Sequence, residues 1–118
     1  LPHFITHADN AANAIGRRIR CLEGRPISTM AECLEQSTLK ATDGVMHHRA
    51  CTRMLRESLS HILKEERQLV TAAQHAGDEV TAQCLIAFMQ FQEETLWTLR
   101  TSLRRTAFEE QYLSKESA

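Results

Sequence analysis

The sequence predicts an all-α fold built on long helices. Apolar residues recur at spacings of three and four along most of the chain, the period of a helix with one buried face. Breakers are scarce, with two prolines and four glycines in 118 residues, and most fall between the periodic stretches. Few β-branched runs suit a pleated strand.

The first helix is predicted over about residues 2–23, where Ile5, Ala8, Ala12, Ile15, Ile19 and Leu22 form one apolar stripe. Pro2 suits its first turn, and Gly24 followed by Pro26 suits its end. In "STMAECLEQS", Thr29 and Glu32 stand at capping-box spacing ahead of Cys33 and Leu34, which predicts a short connecting helix. It should end before "TDG", where Asp43 and Gly44 break the pattern. From about residue 45 to 75, Cys51, Leu55, Leu59, Ile62, Leu69 and Ala73 mark a second long stripe. Gly77 then fits a C-terminal cap and Asp78 starts the last helix. There Leu85, Phe88, Leu96, Leu99 and Leu103 form the apolar face, interrupted by Gln92, and the closing "SKESA" should fray. Each of these last two helices has about 30 residues, or roughly 45 Å, and the tight turn between them requires antiparallel packing. A shorter first helix leaves part of that pair's apolar surface uncovered. The expectation is an oligomer, a missing N-terminal helix, or both.

Composition excludes several classes of function. The chain is 42% hydrophobic and 25% charged, ordinary for one domain spanning 1–118. Fourteen Lys and Arg against fifteen Asp and Glu leave a formal charge of -1, so DNA would need a local basic patch. No apolar run approaches the length of a membrane span. The start "LPHFITHADN" lacks the features of a signal peptide. Cys21, Cys33, Cys51 and Cys84 show no metal or redox spacing, which predicts reduced, mostly packed thiols and a cytoplasmic location.

Several groups of residues have chemistry to weigh. His3 and His7 share a helix face at a spacing that two imidazoles on one metal could use, although Asp9 points elsewhere. Glu57, His61 and Glu65 also follow one another at intervals of four, on a face away from the apolar stripe. His47 and His48 point about 100° apart and do not suit one ion. Arg100, Arg104 and Arg105 are read as cations favoured near a helix C-terminus, with a small DNA-phosphate contact, multiplied around a shell, as the sharper alternative. Trp97 lies off the apolar face and is assigned to a subunit contact. Asn13 and Arg17 lie one turn apart, together with Thr6, Asn10 and Arg20 and nearly opposite Ile15, Ile19 and Leu22. That side is polar and has no carboxylate. No Ser/His/Asp arrangement or glycine-rich phosphate loop supports other enzyme classes.

Two stretches carry a family resemblance. "RRIRCLEGRPISTMAECLEQS" resembles the helix end, glycine turn and short helix of the Dps miniferritins, and "AGDEVTAQCLIAFMQFQEETLWTLRTSL" resembles their tight turn and final helix. The resemblance covers most of residues 13–104. It implies a ferritin-like antiparallel four-helix bundle with a short helix in the middle connection, its first long helix missing or truncated in this chain. It also implies assembly into a hollow homo-oligomer, a dodecamer, that oxidises and stores iron against oxidative stress and often shields DNA. In the family, iron sites lie between subunits and use an Asp and a Glu four residues later. Here those positions hold Asn13 and Arg17, a weak neutral ligand and a fixed cation. The remaining family ligands would lie at or before Leu1. One acidic position of the final helix is replaced by Gln83, while Asp78 is kept. Two readings follow: a miniferritin subunit handling iron through other ligands, and a catalytically silent relative that keeps the shell or an interaction surface.

Overall fold

The computed structural model describes residues 2–42, 44 and 47–116. Its elements are all helical: α1 (Pro2–Cys21), α2 (Met30–Gln36), α3 (His48–His75) and α4 (Glu79–Glu116). Contacts divide the chain into two compact units, Leu1–Asp43 with Leu69–Phe88, and Gly44–Gln68 with Met89–Ala118.

In the first unit, α1 runs antiparallel to the start of α4. Arg18 reaches Asp78 and Thr81 at one end, while the His7 ring meets the edge of Phe88 at 5.9 Å toward the other. Ala11, Ala82 and Leu85 are buried, the two alanines being small enough to allow close approach. The buried stripe of α1 differs from the sequence prediction over its first half. Phe4, His7 and Ala11 turn inward, whereas Ile5, Ala8 and Ala12 are exposed. The His7 ring brings more surface to bury than Ala8, and the Phe4 ring takes the inward position in place of Ile5. From Ile15 to Ile19 the predicted stripe holds, with Arg18 beside it, and Leu22 stays exposed.

Helix α1 ends two residues before the predicted boundary, in a Schellman turn. Glu23 N–H donates to Arg20 O and Gly24 N–H to Ile19 O at 2.8 Å. The left-handed residue is Glu23, with φ 64°, and not the glycine. Gly24 serves close approach instead, since a Cβ there would lie 2.9 Å from Ile19 Cγ2. The second turn has the expected order: Gly77 has φ 76°, its N–H donates to Gln74 O, and Asp78 N–H donates to Ala73 O at 2.8 Å.

The capping box of α2 forms as predicted. Thr29 Oγ1 accepts from Glu32 N–H at 3.2 Å. Glu32 reaches back to Ser28 N–H at 3.0 Å and accepts from Arg25 at 2.9 Å. The Ser28 N–H is the main cause that holds the Glu32 carboxyl below its ordinary pKa. No residue of α2 is buried; Met30 and Leu34 stand exposed on it, as does Ile27 in the loop before it. The predicted break at Asp43 lies outside the described residues; Gly44 is exposed with φ 96°.

In the second unit, α3 and α4 pair antiparallel. Arg49 reaches Glu110, Glu66 reaches Gln92 and Arg67 reaches Glu93, so residue numbers fall on one helix as they rise on the other. Leu59, Leu63 and Leu96 form its buried core. Helix α3 starts at His48, with the His47 ring accepting from Arg49 N–H at 3.3 Å; Val45, the predicted start, lies outside the described residues. Helix α4 extends to Glu116, so Ser114, Lys115 and Glu116 of the "SKESA" segment are helical where fraying was predicted. The expectation of packed thiols is also corrected. Cys21, Cys33 and Cys51 are exposed and Cys84 is half-buried, because each exposed one sits on the solvent side of its own element.

Candidate functional site

The positions singled out on α1 separate into two environments. Asn13 and Arg17 are both exposed, as are Thr6, Asn10 and Arg20, so the polar side of the helix lies where its phase predicted. His3 is exposed too, but His7 is half-buried against Phe88. Burial lowers the His7 pKa and favours its neutral ring. Among the described residues, no three His, Cys, Asp or Glu side chains gather where they could hold a metal ion. The face that carries Asn13 and Arg17 offers an amide and a guanidinium, a donor set that does not fit an iron site of the carboxylate kind.

Asp78, the acidic position kept at the start of α4, has a structural task. Its carboxylate caps the helix, accepting from Thr81 N–H at 3.1 Å and from the Thr81 hydroxyl. Arg18 adds a bond to Asp78 at 3.2 Å and one to Thr81 Oγ1 at 2.9 Å. The Thr81 hydroxyl is the largest of the contacts that hold the Asp78 carboxyl below its usual range, followed by the Thr81 N–H and the Arg18 charge. Gln83 is exposed.

In the second unit, Glu57 and His61 do not join Glu65 into one site. Glu57 is exposed and lies 3.8 Å from Arg56, while His61 Nε2 pairs with Glu65 at 3.2 Å. Gln92, predicted to interrupt the apolar face, is buried at 4% exposure and donates to Glu66 at 3.0 Å. Burial pushes the Glu66 carboxyl above its ordinary value, with the Gln92 amide opposing it. Trp97 is 66% exposed, off the apolar face as its phase predicted.

A concentration of positive charge on α3 and α4 was only half visible in the sequence. Arg100 and Arg104 were read as a helix-end pair with Arg105, but α4 continues through Glu116, and the terminal dipole acts only over the last turn. Arg100 and Arg104 instead line a groove with Arg49, Arg53, Arg56, Leu103 and Ala107. Arg49, Arg53 and Arg56 stand at i, i+4 and i+7 on α3, so they share a face. That spacing was a readable signal. Its meeting with the α4 pair was not, because it depends on the pairing register of the two helices.

Residues 3–108 match the model of the ferritin-like domain, which spans most of this chain. The chain belongs to the ferritin-like domain family. It is 29% identical over 85 residues to the DNA protection during starvation protein of Porphyromonas gingivalis, covering 72% of this chain and 54% of that one. It is also 29% identical over 89 residues to general stress protein 20U of Bacillus subtilis, covering 75% of this chain and 61% of the relative. The chain thus spans between 54% and 61% of the length of these two relatives. Dps from Staphylococcus aureus shares the fold, with a TM-score of 0.83 at 24% identity over 86% of this chain and 68% of that one. The shared fold is the all-α ferritin-like bundle, and the two named relatives support the Dps miniferritin branch of the family.

Proposed function

We propose that this chain is a subunit of a Dps-like homo-oligomeric shell, a single ferritin-like domain acting in the cytoplasm, that has lost the family's ferroxidase carboxylates. The observation that carries this reading is the pair Asn13 and Arg17, exposed on α1 at the positions where the resemblance implies Asp and Glu. An amide coordinates ferrous iron weakly, and a guanidinium repels it at every accessible pH. Shell formation is supported by apolar side chains left in solvent: Met30 is 74% exposed and Leu34 61%, an arrangement that a partner copy would bury. Among the described residues, no helix is long and apolar enough to cross a membrane.

Family membership favours a second reading, in which the shell binds, oxidises and stores iron as its cargo through ligands other than residues 13 and 17. In both readings the assembly is the dodecamer that the resemblance implies. Light scattering or native mass measurement on the purified protein tests it. Twelve chains in a closed particle is the expected result, and a monomer at micromolar concentration would refute the shell.

A further inference from the structure

We propose that the arginine groove of the second unit is a binding site for a short phosphate chain, the chemistry shared by a free linear polyphosphate and a nucleoside triphosphate. The proposal stands apart from the iron question, since it uses no residue of α1.

Five guanidiniums, from Arg49, Arg53, Arg56, Arg100 and Arg104, line one groove of about 440 Å³. Their charge is only partly answered within the protein. Glu110 pairs with Arg49, and Glu57 touches Arg56 at 3.8 Å. None of the ion pairs among the described residues involves Arg53, Arg100 or Arg104. Five cations less two carboxylates leave an excess of three positive charges in one concavity. Like charges so gathered repel one another, and a multivalent anion relieves that repulsion. Guanidinium is also the cation suited to phosphate, because its planar fork donates two parallel hydrogen bonds to two oxygens.

Glu110 occupies Nη1 of Arg49, and Arg49 Nε is buried without an acceptor, so one carboxylate leaves this guanidinium's hydrogen-bonding capacity only partly used. Leu103 and Ala107 complete the lining between the arginines.

The dimensions favour a short chain over duplex DNA. Arg49 to Arg56 is seven residues of helix, about 10 Å, and Arg100 and Arg104 face them across the groove. Three or four linked phosphates fit that span, each within reach of a guanidinium. An extended duplex would also meet the exposed carboxylate of Glu109 on α4, which repels its backbone.

Calorimetric titration of the intact protein with tripolyphosphate, ATP, orthophosphate and a short DNA duplex tests the assignment. The proposal expects one tripolyphosphate per chain, bound at least tenfold more tightly than orthophosphate. Affinity should fall at least tenfold in Arg53→Gln and in Arg104→Gln. It should stay within twofold in Arg105→Gln, which removes the same charge from α4 outside the groove. Helix content by circular dichroism confirms that each variant folds. Equal affinity for ATP and tripolyphosphate would assign recognition to the phosphate chain alone, and tighter ATP binding would name the nucleotide as the source; either supports the site. Three results would overturn it: tripolyphosphate held no more tightly than orthophosphate, an equal loss in Arg105→Gln, or binding confined to the duplex.

Discussion

Glu66 and Gln92 form a buried pair in which two atoms are left without partners, Glu66 Oε2 and Gln92 Oε1. The one bond present runs from Gln92 Nε2 to Glu66 Oε1 at 3.0 Å. A proton on Oε2 would let the acid donate to Gln92 Oε1, making the pair reciprocal. Burial pushes the carboxyl up in the same direction. Glu66→Gln carries a permanent N–H donor in place of that proton while keeping the volume. It therefore stabilises the protein wherever the native carboxyl would otherwise be charged or incompletely paired.

Restoring partners to buried polar atoms is worth about 1–3 kcal/mol, a shift of several degrees in Tm for a domain of this size. The sign with pH follows from linkage. Below the ordinary value of 4.5, the carboxyl is protonated in both folded and unfolded chains. As pH rises, the unfolded chain releases its proton first, so wild-type stability declines until the folded carboxyl also ionises, and then levels off. Glutamine has nothing to release. Urea unfolding at pH 4 and pH 8 should show the two proteins nearly equal at the lower pH and Glu66→Gln more stable at the higher, with unchanged m-values. A difference that does not vary with pH, or a wild type more stable at pH 8, would refute the reasoning.

The turn after α1 offers an opposed pair of substitutions. Glu23→Gly removes a left-handed cost of about 1–2 kcal/mol and returns about 0.5–1 kcal/mol in unfolded-chain entropy, for a net gain below about 1.5 kcal/mol in thermal melts. Gly24→Ala places a Cβ against Ile19 and should lower Tm instead. At the α4 cap, Asp78→Asn keeps an acceptor for Thr81 N–H but loses the charge facing Arg18. Because the Asp78 carboxyl is held below its ordinary 3.8, its contribution is present above that pH and lost as pH falls through the folded value. The gap between wild type and Asp78→Asn should close on acidification, as read by circular dichroism.

Periodicity and capping chemistry made the helices legible. Thr29 with Glu32 and Gly77 with Asp78 are local signals, settled by hydrogen bonds within a few residues, and the structure uses them as read. The inward face of α1 was legible only from Ile15 onward. Before it, choosing Phe4, His7 and Ala11 over Ile5, Ala8 and Ala12 depends on Phe88, which lies far along the chain. Gln92 looked like a defect in an apolar stripe because its partner, Glu66, is 26 positions away. The same limit hid the groove. The i, i+4, i+7 spacing of Arg49, Arg53 and Arg56 can be read locally, but its meeting with Arg100 and Arg104 is a fact of helix pairing. The polarity of the Asn13 and Arg17 side, by contrast, needs only the helical period.

The loss of the ferroxidase carboxylates is tested most directly by anaerobic ferrous iron titration of the assembled protein, followed by peroxide, comparing wild type with the double substitution Asn13→Asp and Arg17→Glu. The account predicts wild-type oxidation no faster than in buffer, and added ferrous binding once both carboxylates are restored. Stoichiometric binding with rapid oxidation by the wild type would contradict it and establish that the shell oxidises iron through other residues.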